Sequence, residues 1–246
     1  MPARGLIAVI SDVHGNRQAL EAVMRAQRQA GAEAVWCLGD IVGYGADPVH
    51  CLGACMSATR CLAGNHDLAV TGRVPIDAFS DWARAALVWT RGALDRAGVA
   101  KLDRLSPADP DGEVALYHAS PLDPVWEYVL SEEQARVCLE SVAAHLVLVG
   151  HTHVPAAWRL LPDGRIEGGF VAGDRTIDLE GGRWLVNPGS VGQPRDRDAR
   201  AAWALLDLRQ GSITFHRTPY DVAGAQNAIL RAGLPPQLAA RLSEGR

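Results

Sequence analysis

The sequence lacks the marks of a nucleic-acid surface, a membrane segment or a disulfide scaffold. Lys and Arg are scattered rather than gathered into a basic run, and 28 Asp and Glu outnumber 24 Lys and Arg. That balance argues against a surface that follows a phosphate backbone. No stretch approaches the ~18 consecutive apolar residues of a spanning helix, and the run Leu6–Ile10 falls short of the ~7–15-residue core of a signal peptide. The five cysteines (Cys37, Cys51, Cys55, Cys61, Cys138) are odd in number and form no C-x-x-C. Neither a disulfide framework nor a zinc knuckle is indicated, and packed, reduced thiols are expected. Internal repeats and low-complexity segments are also missing. These absences predict a soluble, cytoplasmic protein with no membrane association and no dedicated nucleic-acid surface.

What is present is an ordinary globular composition, 48% apolar and 21% charged, near the usual ~45–50% and ~25%. A length of 246 residues permits one domain or two, and a single domain over 1–246 is expected. The first half alternates strand and helix patterns. Gly5–Ser11 is a continuous apolar run, as in a strand buried on both faces. Asn16 can cap a helix to about Ala30, with Gly31 just beyond. Ala34–Leu38 and Arg60–Ala63 read as buried strands around a helix at Val49–Met56, giving a β-α-β-α-β unit. One long helix is predicted over Ile76–Arg96, with Ala78, Trp82, Ala85, Ala86 and Trp89 near helical spacing, and the proline-bearing segment Ser106–Gly112 then breaks the chain. Glu113–His118 and Leu146–Val149 read as strands flanking a helix at Glu132–Ala144. Six further strand-like runs, from Ala156 to Arg217, read as an antiparallel meander. A helix near Val222–Leu230 and a Pro235-Pro236 tail close the chain. Two sheets packed together with helices outside would bury all these strands.

Chemistry concentrates at strand ends. Asp12-Val13-His14, Gly39-Asp40, Gly64-Asn65-His66-Asp67, His118 and Gly150-His151-Thr152-His153 each follow a predicted strand. A lone strand-end Asp is ordinarily a helix cap, and a lone His an ordinary packed or surface residue. Five such clusters on parallel strands would instead converge on one rim, where α/β sheets bind ligands. Asp12 and His14 are two residues apart, as are His151 and His153, so in an extended segment each pair would share a face and chelate one cation. The donors are carboxylate, imidazole and amide without thiolate, a set that admits Mn2+, Fe, Ni2+, Co2+ or Zn2+.

The ordered set D-x-H, G-D, G-N-H-D, strand-end His and G-H-T-H resembles the calcineurin-like metallophosphoesterases over roughly the first two thirds of the chain. The resemblance implies an α/β fold, a four-layer α-β-β-α sandwich of two mixed β-sheets packed face to face with helices outside. It implies that Asp12, His14, Asp40 and His153 hold one divalent metal and that Asp40, Asn65, His118 and His151 hold the other. Two ions, Mn2+ expected first, would serve hydrolysis of a small or nucleotide-like phosphate ester, since paired cations lower the pKa of a water and offset charge on the phosphoryl oxygens. His66 would be the unligated catalytic histidine, with Asn65, His66 and Tyr44 as substrate-binding residues. Protein Ser/Thr phosphatases carry G-D-x-V-D-R-G, whereas Gly43 and Tyr44 stand here in place of its second Asp and its Arg. Gly43-Tyr44-Gly45 and Asn187-Pro188-Gly189-Ser190-Val191-Gly192 are instead similar to the small prokaryotic phosphodiesterase-like branch. In that resemblance the Asn187 turn borders the metal rim, while a plain chain reversal stays open. Arg195 and Arg197 could bind phosphate, but Arg195–Asp198 reads rather as a solvated run of alternating charge. Tyr44, Trp126 and Tyr128 could stack on a base or simply pack the rim. Dinucleoside-polyphosphate hydrolysis is the alternative within the class, a non-catalytic interaction module on the same fold is the alternative outside it, and a homodimer is allowed.

Overall fold

The computed structural model describes residues 5–246; residues 1–4 of the expected domain lie outside the described residues. Two six-stranded sheets form the centre. The first strand, β1 (Leu6–Ile10), shows how they pack. Ile7 and Val9 enter a core shared with Leu116, Leu148 and Val186 of the other sheet, while Ala8 and Ile10 enter a core shared with helix residues Leu20, Val23 and Leu52. Alternation with period two thus places one row of side chains between the sheets and the other beneath the helices, and the continuous apolar run follows from burial on both faces.

In the first sheet, β1 pairs in parallel with β2 (Ala34–Cys37), and β2 with β3 (Arg60–Cys61). Helices α1 (Arg17–Gln29) and α2 (Pro48–Cys55) connect them, so the predicted β-α-β-α-β unit is present. Asn16 caps α1, its side chain accepting from the Ala19 N–H at 3.1 Å. In the second sheet, β5 (Val114–Tyr117) runs parallel to β6 (Leu146–Leu148). The two-residue β4 (Ala108–Asp109) pairs with β5 inside the segment predicted as a break. Helix α6 (Glu132–Ser141) covers this sheet over a third core containing Cys138, Leu139, Val147 and Trp158.

The six later strands all exist but form no single meander. β7 (Ala156–Leu160), β8 (Ile166–Phe170) and β10 (Arg183–Asn187) extend the second sheet, with β10 parallel to β6 and antiparallel to β7. β9 (Arg175–Asp178), β11 (Ala201–Asp207) and β12 (Ser212–Thr218) extend the first, with β11 antiparallel to β1. Strand patterning and turn residues reveal the strands, but the partner of each edge is a long-range choice that local alternation does not encode.

The predicted helix over Ile76–Arg96 is divided. A short helix, α3 (Asn65–Thr71), and a 3-10 turn at Ile76–Ala78 precede α4 (Asp81–Ala93), and α5 (Arg96–Asp103) follows. Phe79 and Ser80 are extended (φ −100° and −60°), and Leu94 and Asp95 break the chain again, with Asp95 capping α5 through the Gly98 N–H at 2.7 Å. The buried stripe of α4 is Ala83, Ala86, Leu87 and Thr90, and Trp82 stands exposed. Beyond α7 (Val222–Arg231), the Pro-Pro tail starts a further helix, α8 (Pro236–Glu244), with Pro236 at its first position where a missing N–H costs nothing. The five cysteines are free thiols, four of them buried.

Candidate metal centre

The carboxyl ends of β1, β2, β3, β5 and β6 meet on one edge of the sandwich, and the five clusters follow directly from those ends. The chain does not leave the strands extended. Asp12, His14, Asp40, Tyr44, His151 and His153 all adopt left-handed conformations, with φ between 49° and 65°; Arg197 is the one other non-glycine residue among the described residues to do so. The pairs Asp12/His14 and His151/His153 therefore converge through left-handed turns, and the shared face of an extended segment is not how they meet. Such backbone costs about 1–3 kcal/mol per residue and persists where neighbours hold it. Here the loops brace one another: the Asp12 N–H donates to Gly39 O (3.0 Å), the His14 N–H to Asp40 O (2.8 Å) and the Gly150 N–H to His118 O (2.8 Å).

Asp12, His14, Asp40 and His153 present ligand atoms that all lie within 4.8 Å of one another, and so do Asp40, His118 and His151, every one of them buried. Three of the imidazoles are oriented by backbone carbonyls. Nδ1–H donates to Val42 O from His14 (3.3 Å), to Leu38 O from His118 (2.9 Å) and to Gln193 O from His153 (2.6 Å), while the His151 ring lies beside the Trp126 backbone. A carbonyl only accepts, so Nε2 keeps its lone pair and is left for a cation. These lone pairs crowd together. His14 Nε2 is 3.1 Å from His153 Nε2, and His153 Nε2 is 3.3 Å from Asp12 Oδ1. Asp12 Oδ1 and His151 Nε2 are buried without a hydrogen-bond partner. Acceptors facing acceptors in a buried site suit a cation between them, and the donor set fits a divalent metal. Asn65 joins the second group, its Oδ1 3.4 Å from His118 Nε2. Without such a cation, burial pushes Asp12 up to about 7 and Asp40 well above the carboxylate range, while burial above all holds His14, His151 and His153 below the usual imidazole range.

Beside these groups opens a cavity of about 290 Å³ that also exposes Tyr44, His66 and Arg195. The His66 ring lies 4.4 Å from Tyr44 and 5.0 Å from Phe79, centroid to centroid. Its Nδ1 is buried without a partner, and a Cβ at Gly43 would stand 2.4 Å from it. Gly43, at φ +90°, is thus the residue that lets the His66 ring sit where it does. All eight residues predicted for catalysis and metal binding, together with Tyr44, come together here.

The sequence model of the calcineurin-like phosphoesterase superfamily domain matches residues 6–211. The chain belongs to this superfamily. It is 34% identical over 253 residues to the uncharacterized protein MJ0912 of Methanocaldococcus jannaschii, with 99% of each chain covered. The crystal structure of a metallophosphoesterase from Sphaerobacter thermophilus superimposes with a TM-score of 0.88 at 36% identity, covering 98% of this chain and 99% of that one. The hypothetical protein PH1004 from Pyrococcus horikoshii OT3 shares the fold, with a TM-score of 0.79 at 22% identity over 98% of both chains. As a calcineurin-like phosphoesterase, the protein is a metal-dependent phosphoric ester hydrolase, and its buried Asp and His cluster is suited to divalent metal. Among the described residues no helix is long and apolar enough to cross a membrane.

Three residues shape this phosphoesterase site beyond what the sequence assigned: Asp67 and Ser190 stand in quoted motifs without a role of their own, and Arg195 was named as a possible phosphate binder but weighed as part of a solvated run. Asp67, third in α3, accepts the N–H groups of Gly64 (2.9 Å), Ile41 and Val42 (both 3.1 Å), tying the loop of Asp40 to the start of the helix that carries Asn65. Its carboxyl is pushed up to about 6 by burial, against the pull of those N–H donors. Ser190 donates to Asp12 O at 2.8 Å. Arg195, read as part of a solvated run, turns into the cavity, while its neighbours pair elsewhere: Asp196 with Arg217, and Asp198 with Arg200. The signal for Asp67 was present as Asp at the third position of a helix behind Gly-Asn-His; nothing local distinguishes Arg195. The Asn187 turn does border the rim, since Asn187 Nδ2 donates to Gly150 O (2.7 Å) and Thr152 Oγ1 (2.8 Å), holding the loop of His151 and His153.

Proposed function

We propose that the protein, as one domain over 1–246, is a dinuclear phosphodiesterase acting on a small or nucleotide-like ester. The supporting observation is the position of Asp40 Oδ2, which lies 3.5 Å from His14 Nε2 and 3.6 Å from His118 Nε2. One oxygen stands between the two ligand groups, as a bridging carboxylate requires. Asp12, His14, Asp40 and His153 would hold one cation and Asp40, Asn65, His118 and His151 the other, with Mn2+ the first choice for this oxygen and imidazole set. When bound, two such cations supply Lewis acidity that lowers the pKa of a water and offsets charge on the phosphoryl oxygens.

The chain's own residues do the rest. The His66 N–H donates to Asp40 Oδ1 at 2.9 Å, so the histidine is placed by the carboxylate that both groups share. Gly43 closes off Nδ1, leaving Nε2 to meet a phosphoryl oxygen or the departing oxygen. A protein-phosphatase side chain at position 43 would occupy the place of the His66 ring. With Tyr44 packed against that ring, the cavity is small and lined by aromatic rings, which favours a small ester over a phosphoprotein loop. Its volume also favours one phosphoester unit over a whole dinucleoside polyphosphate.

The test is the metal-loaded protein offered bis(p-nitrophenyl) phosphate, p-nitrophenyl phosphate and a phosphoserine peptide, with metal counted by mass spectrometry. Two metals per chain and turnover of the diester at least equal to that of the peptide are expected. One metal under replete conditions, or selective hydrolysis of the peptide, would refute the proposal.

A further inference from the structure

A guanidinium that forms no direct salt bridge among the described residues lines the cavity. Arg195 is half-buried, and its Nε and Nη2 donate to Gln193 Oε1 at 3.3 and 3.0 Å. The acidic side chains next to it in sequence are engaged by Arg217 and Arg200, and among the described residues no carboxylate pairs with it at salt-bridge distance, although its charge reaches the buried Asp12 and Asp40 at the metal ligands. The tether is rigid: buried Gln193 donates its N–H to Ser190 Oγ at 2.8 Å, and its carbonyl orients the His153 ring. Of the five N–H donors of a guanidinium, those not committed to Gln193 stay free for two oxygens of one phosphoryl group, a geometry that arginine matches well.

Flat side chains form the rest of the wall. Phe79 sits in the extended break before α4, and Trp126 and Tyr128 sit in the loop after β5. The Phe79 and Trp126 centroids are 5.1 Å apart, and Tyr128 stacks on His151 at 4.2 Å and 27°. These rings converge from separate segments on the cavity; Phe79 is backed by the core beneath α4, and Tyr128 is 41% exposed. At about 290 Å³, the space lies at the lower edge of the ~300–1,000 Å³ common for small-ligand sites. An anion site, a stacking wall and room for one small molecule describe one kind of phosphate ester.

We propose that the cavity is a mononucleotide site, in which Arg195 holds the phosphoryl oxygens and Phe79, Trp126 and Tyr128 stack the base. The inference rests on the phosphodiesterase reading and names its substrate class. Water oxygen bonds to phosphorus, the ester P–O bond breaks, the proton leaves with the departing alcohol, and a nucleoside monophosphate stays against Arg195 and the rings.

The product therefore probes the site. AMP and ribose 5-phosphate differ only in the base, and each can be tested as an inhibitor of bis(p-nitrophenyl) phosphate hydrolysis and by quenching of tryptophan fluorescence in the metal-loaded protein. AMP is expected to bind about ten-fold or more tightly than ribose 5-phosphate, the scale of one stacked base. Trp126→Leu should bring the two close to equality and remove most of the quenching, and Tyr128→Leu, at an exposed position, serves if that variant fails to fold. Arg195→Gln should weaken both ligands about ten-fold while leaving their ratio and the metal content unchanged. Equal affinities in the unaltered protein, a ratio untouched by the ring variants, or full affinity in Arg195→Gln would overturn the proposal. If bis(p-nitrophenyl) phosphate is not hydrolysed at all, the phosphodiesterase reading fails, and the fluorescence titration still decides whether a nucleotide site exists.

Discussion

Single residues carry most of the chemistry and most of the strain in this protein. Six left-handed residues at one rim are tolerated because the backbone bonds of neighbouring loops hold them, so a β-branched replacement at any of them would meet the φ penalty, and at all but Tyr44 the loss of a ligand atom as well. Asp40 is the most consequential. Its Oδ1 fixes the His66 backbone and its Oδ2 faces both ligand groups, so Asp40→Asn should reduce bound metal at both positions; full metal content and unchanged hydrolysis would remove the bridging role. His66 should behave differently. It is buried beside the ligands without belonging to either group, so His66→Asn is expected to keep its metals and melting temperature while kcat falls roughly 10²–10⁴-fold, the range for loss of a positioned acid. The fall should be steepest for esters with poor leaving groups. An equal fall across leaving groups would assign His66 to stabilising charge on the phosphoryl oxygens, and loss of metal would make it a ligand.

At the scale of elements, the rim is a set of loops tied together from behind. Asp67 binds three N–H groups across the loop of Asp40 and the start of α3. Asp67→Asn leaves one oxygen for these donors and points an amide at the remainder, a loss of about 1.5–3 kcal/mol for hydrogen bonds to a charged group. Denaturant titration should show that loss, and metal affinity should drop about 10–100-fold, as for other supporting partners of metal ligands; a variant of full stability and full metal affinity would make the clamp incidental. This scale also marks where the sequence stopped being legible. The strand-end clusters were readable because donor types recur directly after apolar runs, and Asn16 was readable because a cap is a local device. The division of Ile76–Arg96 was not, since the alanine-rich spacing fits one continuous helix and the breaks at Phe79–Ser80 and Leu94–Asp95 serve contacts far away in the chain. Asp95 held a cap signal that went unread. The distribution of β7 to β12 over two sheets, and the turn of Arg195 into the cavity, depend on pairings and packing that no local pattern specifies.

For the whole molecule, the metal site and the fold depend on each other. Two sheets deliver their strand ends to one edge, and Asp12, Asp40 and four imidazoles are buried there with orphaned acceptors such as Asp12 Oδ1 and His151 Nε2. In a metal-free protein these groups lie in a low-dielectric interior without the cation that compensates them, a costly arrangement. A metal that binds the folded chain but not the unfolded one adds about 2.7 kcal/mol when its free concentration is a hundred times its Kd. For chains of this size each kcal/mol moves Tm by roughly 2–4 °C, so one saturated site should raise Tm by about 5–10 °C and two by more. Thermal scans with and without a chelator, repeated across Mn2+ concentrations, should show Tm climbing with metal. The Asp40→Asn protein should start lower and climb far less over the same range. If the chelator leaves the Tm of the unaltered protein where it was, the cluster is not a metal site that supports the fold. If Asp40→Asn gains as much as the unaltered protein, each group binds without the shared carboxylate.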